Sequence, residues 1–216
     1  MLTNNVRITV CILLTAICVY VKMIKVDKQM KKYHIINYKN KRRWRDMDNL
    51  IPKMYQESIY TINYEKLKKE NVKCLLFDLD NTCVGYHEKK PTKELKTLFK
   101  KLTKMGFDVI IFSNALPKRL VQFNDLNVDL HPASKKPFKK KFQKILTDYK
   151  TSEVCIIGDQ LFTDILGGNR VGIKTCLVNP ITNEDFIGTK ILRATEGLIF
   201  KKLAKKSILI KGEYYE

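Results

Sequence analysis

The chain has 216 residues and a mass of 25.3 kDa, which suits one compact domain with a tail and is enough to bury a hydrophobic core. Hydrophobic residues make up 44% of it and charged residues 29%, which excludes a chain disordered throughout, and nine Gly with six Pro exclude collagenous and low-complexity classes. The 41 Lys and Arg outnumber the 22 Asp and Glu, and the net charge of +19 predicts attraction to nucleic acid, acidic lipid or a phosphorylated substrate.

Six cysteines are scattered along the chain without a C-x-x-C pair. This distribution is typical of free thiols in a reducing compartment, not of a disulfide framework or a zinc site. No cysteine precedes an arginine at the spacing of a cysteine-phosphatase loop, so that class of enzyme is excluded.

The first predicted element is a hydrophobic segment at residues 1–24. Its uncharged run extends from Ile8 to Val21, and it reaches Ile24 if the Lys22 side chain extends toward the interface, which is the lower length limit for a membrane span. No small-residue cleavage site follows, so we interpret the segment as an uncleaved anchor or a targeting segment. A buried core helix and an organelle import signal are the alternatives.

A basic linker is predicted at residues 25–48. Between Lys22 and Arg45 the chain carries ten Lys or Arg residues and one acidic residue, Asp27. This bias predicts that the rest of the chain stays on the cytoplasmic or matrix side of a membrane, where the linker could bind anionic lipid. A merely solvated linker is the alternative.

Residues 49–216 are predicted to form one α/β domain. The pattern predicts strands at Val72–Asp78, Phe107–Ser113, Val128–Leu130, Glu153–Asp159 and Ile173–Asn179, and helices at Thr92–Met105, Leu116–Asn124, Pro137–Tyr149 and Leu161–Val171. Strands that alternate with helices indicate β-α-β units and a Rossmann-like parallel sheet flanked by helices. In such sheets the chemistry lies at the carboxyl ends of the strands.

Polar residues follow the predicted strands in four groups, which are Asp78 with Asp80, Ser113 with Asn114, Lys136, and Asp159 with Asp164. Two carboxylates beyond one buried strand repel each other unless a divalent cation neutralises them. Each group alone is also typical of a turn, a helix cap or a solvated basic surface. Their order, each at the exit of a strand, indicates one site for a metal and a phosphate.

The four groups resemble the haloacid-dehalogenase (HAD) superfamily of phosphatases, with the motifs DLDNT, a strand-end Ser113, Lys136 before a helix, and GDxxxxD. Further segments (LIP with SIY, SN, KKP, GDQLFTD and GGNRVG) resemble the YqeG-type subclass IIIA phosphatases. That group includes the mitochondrial phosphatidylglycerophosphate phosphatases of cardiolipin synthesis. The resemblance extends from Leu50 to Pro180 and leaves the hydrophobic segment and the basic linker outside it.

The resemblance implies a phosphomonoester hydrolase that works through an aspartyl-phosphate. Asp78 would be the nucleophile, and Asp80 would protonate the leaving alkoxide and then deprotonate the attacking water. Lys136 would neutralise the phosphoryl oxygens together with Ser113, and Asn114 would help to bind the phosphate.

The resemblance also implies a Mg²⁺ cofactor. Its ligands would be the Asp78 carboxylate, the backbone carbonyl of Asp80 and Asp159, and Asp164 would orient these ligands from behind them.

The spacing leaves no room for a large cap domain. Nine residues, Cys83–Pro91, separate DLDNT from the next helix, and 21 separate Asn114 from Lys136. An open site suits a phosphate presented on a lipid or a macromolecule. The residues from Asp185 to Lys206 predict a basic amphipathic helix, which either lies on a membrane or packs on the domain.

We therefore expect a phosphatidylglycerophosphate phosphatase whose partners are an anionic phospholipid substrate and a membrane surface. Its expected location is mitochondrial, at the inner membrane or its matrix side. The first alternative is the same chemistry on a soluble phosphate ester or a phosphoprotein. The second is a basic nucleic-acid-binding or scaffold protein on an inactive fold, although no aromatic–basic stacking motif predicts a specific nucleic acid partner.

Overall fold

The computed structural model describes residues 48–182 and 187–216, and for residues 187–192 it describes the backbone only. The predicted hydrophobic segment at residues 1–24 and the basic linker up to residue 47 therefore lie outside the described residues. So do residues 183–186.

Six parallel strands form a single sheet in the described part of the chain, in the order β1-β6-β5-β2-β3-β4. The strands are β1 (Met54–Gln56), β2 (Cys74–Phe77), β3 (Asp108–Phe112), β4 (Asp129–His131), β5 (Val154–Gly158) and β6 (Lys174–Val178). The middle strands β5 and β2 are buried along their whole length, because apolar clusters cover both faces of the sheet.

The helices that flank the sheet are α1 (Tyr64–Lys69), α2 (Lys93–Lys104), α3 (Pro117–Leu120), α4 (Lys139–Ile145), α5 (Leu166–Val171) and α6 (Ile187–Ala204). A 3₁₀ turn (Val121–Leu126) extends α3, and a π-helical turn (Leu161–Ile165) leads into α5. Helix α2 begins where the Thr92 hydroxyl accepts from the backbone N–H of Leu95 at 3.1 Å. It ends before Gly106, whose positive φ of 83° turns the chain toward β3.

The predicted α/β fold with a parallel sheet is confirmed, and all five predicted strands are present, four of them in shorter form and the one at Asp129–His131 shifted by one residue. Of the strands and α-helices described above, strand β1 and helix α1 are absent from the prediction. Strand β1 has only three residues, too few to show an alternating pattern. Its place depends on distant partners, since Met54 pairs with Cys176 of β6 and Tyr55 exchanges two backbone hydrogen bonds with Tyr215.

Helix α6 packs on the domain through part of its length. Ile199 and Leu203 are buried in an apolar cluster that includes Phe162, Leu177 and Tyr55. Of the two alternatives for this helix, packing on the domain is what these side chains show. Among the described helices, none combines the length and the apolar character needed to cross a membrane.

Candidate active site

The sheet order brings three of the predicted groups together. Strand β2 lies between β5 and β3, so Asp78, Ser113 and Asp159 follow the carboxyl ends of three adjacent parallel strands. These three residues are almost completely buried, with Asp78 at 6%, Ser113 at 2% and Asp159 at 4% exposure as whole residues. The apolar core around this edge of the sheet cannot hydrogen-bond these polar groups, so they need partners within the site.

Lys136 lies between two of the aspartates. Its Nζ donates to Asp78 Oδ1 at 2.6 Å and to Asp164 Oδ1 at 2.6 Å, and its side chain is 1% exposed. Burial by itself would lower the pKa of Lys136, but the two carboxylates more than compensate and raise it above its ordinary value. The two carboxylates therefore favour the charged form of Lys136.

Asp164 is held against the end of β5. Its Oδ2 accepts from the backbone N–H of Gln160 and from the Thr163 hydroxyl, each at 3.2 Å. A Cβ on Gly158 would overlap the Asp164 carboxyl group, so only glycine lets Asp164 approach the strand this closely. Burial raises the pKa of Asp164, and Lys136 opposes that rise.

Asp159 has both carboxylate oxygens in hydrogen bonds. Thr82 donates to Oδ1 at 2.9 Å, and Arg193 Nη2 donates to Oδ2. Arg193 belongs to helix α6, and its Nη1 also donates to the Asp159 carbonyl at 3.1 Å. The same helix supplies Glu196, whose Oε1 accepts from the backbone N–H of Phe162 at 3.0 Å. Helix α6 is thus connected to the site itself, in addition to the apolar core.

Asp78, Asp159 and Asp164 form the group that fits a metal ion. Carboxylate oxygens from the three residues all lie within 4.8 Å of one another, and all three residues are buried. Hard oxygen donors of this kind are the ligands that Mg²⁺ prefers, and a divalent ion would neutralise their mutual repulsion. The predicted metal ligand from Asp80 is its backbone carbonyl, and this ligand stays a prediction. The third carboxylate of the cluster is that of Asp164.

The Asp80 carboxylate points instead to Arg119 of helix α3. Arg119 donates from Nε at 3.0 Å and from Nη2 at 2.8 Å, both to Asp80 Oδ1. Burial raises the pKa of Asp80, and the hydrogen bonds from Arg119 oppose that rise. With a side chain that is 24% exposed, Asp80 is more accessible than the other aspartates of the site.

Ser113 and Asn114 differ in what they contact. Ser113 Oγ accepts from the backbone N–H of Ala115 at 3.2 Å, and a hydroxyl that accepts can still donate its own hydrogen to a ligand. Asn114 holds the backbone of Lys136, because its Oδ1 accepts from Lys136 N at 2.7 Å and its Nδ2 donates to Lys136 O at 3.1 Å. These contacts position Lys136. The binding of phosphate by Asn114 stays a prediction.

The sequence predicts no role for three residues that contact the predicted aspartates, namely Thr82, Arg119 and Arg193, or for Glu196, which contacts Phe162 and Arg193. Thr82 lies inside the DLDNT motif, which was the only available signal for it. Arg193 falls within the predicted basic amphipathic helix from Asp185 to Lys206, and no pattern distinguishes Arg119 from the neighbouring Lys118.

An aspartate pair after a central strand and a buried lysine between two carboxylates place this protein among the HAD-type phosphatases. Comparison with known proteins identifies the family: the chain belongs to the family described as mitochondrial PGP phosphatase, whose model matches residues 38–182. The predicted family and the predicted phosphatase activity are thereby confirmed.

Two relatives support this assignment. The chain is 35% identical over 159 residues to the "Probable phosphatase YqeG" of Bacillus subtilis, a match that covers 72% of this chain and 92% of the relative. It is 25% identical over 175 residues to the "Phosphatidylglycerophosphate phosphatase 1, chloroplastic/mitochondrial" of Arabidopsis thaliana, which covers 74% of this chain and 50% of that protein.

Solved structures of HAD hydrolases are also similar in part. A putative subfamily III A hydrolase from Legionella pneumophila matches with a TM-score of 0.40 and 19% identity, over 68% of this chain and 94% of that one. The putative HAD-hydrolase YfnB from Bacillus subtilis, described as bound to magnesium, matches with a TM-score of 0.38 and 17% identity, over 54% of this chain and 91% of that one.

Proposed function

We propose that this phosphatase is magnesium-dependent and converts phosphatidylglycerophosphate to phosphatidylglycerol through an aspartyl-phosphate on Asp78. The observation that carries the proposal is the position of Lys136, whose charge lies 2.6 Å from both Asp78 and Asp164. A cation fixed beside the attacking carboxylate can also neutralise the phosphoryl oxygens as they approach. Stabilisation of this developing charge is the main task in phosphoryl transfer.

In the first step an oxygen of Asp78 forms a bond to phosphorus, and the bond from phosphorus to the leaving oxygen breaks. The leaving oxygen keeps the electron pair and takes a proton from Asp80. In the second step Asp80 removes a proton from water, and the water oxygen bonds to phosphorus while Asp78 leaves as a carboxylate. The Ser113 hydroxyl donates to a phosphoryl oxygen throughout both steps.

The carboxylates of Asp78, Asp159 and Asp164 would hold the magnesium ion. When bound, magnesium supplies positive charge that lets an anionic nucleophile and an anionic phosphate approach each other. Thr82 and Arg193 orient Asp159 for this purpose, and Lys136 together with the Gln160 backbone N–H orients Asp164.

The surface around the site supports a lipid substrate. Exposed apolar side chains follow the carboxyl ends of β1, β3, β4 and β6, the edge of the sheet at which Asp78 lies; they are Tyr60, Leu116, Phe138 and Ile181. Exposed lysines accompany them at positions 118, 135, 139 and 140. A rim that is both apolar and basic fits an anionic lipid surface, and the net charge of +19 acts in the same direction.

The family description and the name of the Arabidopsis relative support phosphatidylglycerophosphate as the lipid and the mitochondrion as the location. We place the enzyme at the inner membrane or its matrix side, with the hydrophobic segment at residues 1–24 as its anchor or targeting segment and the basic linker at 25–48 beside the lipid surface.

Phosphate release by the full-length protein tests this function. Vesicles that contain phosphatidylglycerophosphate are compared with glycerol phosphate, nucleotides and a phosphopeptide, and Asp78→Asn measures the background. We expect kcat/KM for the vesicle substrate to exceed that for every soluble substrate by at least about tenfold. The reaction at the phosphate is the same, but contacts with the lipid and the membrane surface add uniform binding energy, which raises kcat/KM. A soluble ester or phosphopeptide that is hydrolysed faster would replace the lipid as the substrate.

A further inference from the structure

Arg119 connects three parts of the molecule around Asp80. Its Nε and Nη2 donate to Asp80 Oδ1, as described above, and its Cζ lies 4.8 Å from the ring centroid of the fully buried Phe123. The guanidinium also donates to the loop that follows β2, from Nη2 to the Tyr86 carbonyl at 3.3 Å and from Nη1 to the Glu88 carbonyl. It is therefore fixed from several directions, and only 18% of its side chain is exposed.

Both hydrogen bonds to Asp80 fall on the same oxygen. Among the described residues no hydrogen bond is made to Asp80 Oδ2, while the side chain as a whole is 24% exposed. A group that first gives and then takes a proton needs a fixed orientation and one oxygen that can reach the leaving group and the water. The arrangement around Asp80 provides both.

We propose that Arg119 is a positioning residue for proton transfer, which holds Asp80 Oδ1 so that Oδ2 gives and takes the proton. The inference rests on the proposed function, because it requires Asp80 to be the acid and the base. In the first step Oδ2 gives its proton to the leaving alkoxide as the phosphorus–oxygen bond breaks. In the second step Oδ2 takes a proton from the attacking water, which restores the starting state.

A lysine at position 119 could pair with Asp80 but could not reproduce the arrangement. The two donors on Oδ1 are Nε and Nη2, one edge of the rigid guanidinium, while Nη1 and Nη2 reach the loop carbonyls. An ammonium group is a single point charge on a flexible stem and cannot contact all of these atoms in fixed geometry. In both Arg119→Lys and Arg119→Gln, Asp80 is therefore no longer held in one orientation.

The test compares two phosphate monoesters that differ in their need for an acid. A nitrophenyl phosphate releases a stable phenolate without protonation, whereas an alkyl phosphate such as glycerol phosphate releases an alkoxide that requires the proton. We expect kcat/KM of full-length Arg119→Gln and Arg119→Lys to fall about 10²-fold with the alkyl ester, the contribution typical of one positioned acid. With the aryl ester we expect it to stay within about threefold, because kcat/KM reports transfer to Asp78 and not the later attack by water.

The ratio of the two kcat/KM values separates positioning from a structural role. Loss of folded protein lowers both values by the same factor and leaves the ratio unchanged, so an unchanged ratio in both variants would overturn the proposal. Lys100→Gln is the control, since it removes an exposed cation from helix α2, outside the proposed lipid-binding rim, and should keep the wild-type ratio. Asp80→Asn should change the ratio at least as much as the Arg119 variants do.

Failure of this inference can be told apart from failure of the proposed function. If Asp80→Asn changes the ratio and the Arg119 variants do not, Asp80 is the acid but Arg119 does not position it. If Asp80→Asn leaves the ratio unchanged, Asp80 is not the acid, and the proposed mechanism fails together with the inference that depends on it.

Discussion

Replacing Lys136 by methionine removes a buried charge from between two carboxylates while keeping a side chain of similar length. In the native protein Lys136 makes two charge-assisted hydrogen bonds of 2.6 Å to Asp78 and Asp164, whose side chains are 9% and 0% exposed. Asp159 lies in the same group, where Arg193 is its cationic partner. Without Lys136, Asp78 and Asp164 remain buried without their shared cation.

The magnitude follows from the two broken hydrogen bonds. A hydrogen bond to a charged group contributes about 1.5–3 kcal/mol, and removing one partner of a buried ion pair destabilises a protein by about 3–5 kcal/mol. We therefore expect Lys136→Met to lower the free energy of unfolding by about 3–5 kcal/mol at pH 8 in excess chelator. The loss should shrink at acidic pH, because burial raises the pKa of Asp164 and the variant lacks Lys136, which opposes that rise, so Asp164 can take up a proton.

Urea unfolding of the full-length protein in mild detergent, followed by far-UV circular dichroism, measures this loss. Magnesium should restore about 2.7 kcal/mol at a concentration one hundred times its dissociation constant, since it binds only the folded carboxylate cluster. Lys139→Met is the matched control, because it removes an exposed lysine from the start of α4 and should change stability by no more than about 0.5 kcal/mol.

The double variant Lys136→Met/Asp164→Asn distinguishes charge repulsion from a packing defect. Removing one of the unpaired carboxylates should recover at least about 1 kcal/mol of the loss, the coupling expected of residues in one charge network. A Lys136→Met loss below about 1 kcal/mol at pH 8, or a double variant that is less stable than the single one, would refute the reasoning.

Three further predictions concern the metal, pH and the membrane. Phosphatase activity should vanish in chelator and return with Mg²⁺, and full activity in excess chelator would contradict the role of Asp78, Asp159 and Asp164. Burial raises the pKa of Glu196 from its usual 4.5 to about 8, so the native state keeps a proton that the unfolded chain loses. The stability of wild type relative to Glu196→Gln should therefore fall as pH rises from 5 to 8, by at least about 1.4 kcal/mol for one pKa unit, and a difference independent of pH would contradict this. The full-length protein should sediment with membranes at high salt, and deletion of residues 1–24 should leave a weaker binding to anionic vesicles that added salt abolishes; release of the full-length protein by salt alone would show that this segment does not insert.

The sequence predicts those residues of the site that directly follow the ends of the parallel strands. Asp78 and Asp159 each follow an apolar run, and parallel strands end at one edge of a sheet. Lys136 is different, because it lies in a lysine-rich segment. Composition alone predicts that such a segment is a solvated surface. Its position after a predicted strand and the resemblance to a family both indicate it, and the structure shows the contrast, with Lys135 exposed and Lys136 only 1% exposed.

The part that could not be predicted depends on helix orientation. Arg119 lies 39 residues from Asp80, and Arg193 lies 34 residues from Asp159. Nothing in the local pattern shows which face of a short basic helix turns toward a strand end. The role of Glu196 could not be predicted from the sequence either, because its hydrogen bond to the Phe162 backbone forms only when α6 packs on the domain.

Labelling of the protein by substrate phosphate tests the central claim most directly. With ³²P-labelled aryl phosphate and Mg²⁺, Asp80→Asn should form the aspartyl-phosphate, since this leaving group needs no acid, and should retain it, since the base for water attack is missing. We predict one acid-stable, hydroxylamine-sensitive phosphoryl group on the peptide that contains Asp78, and no label in Asp78→Asn/Asp80→Asn. Label on another residue, or hydrolysis at the wild-type rate by folded Asp78→Asn, would contradict the account.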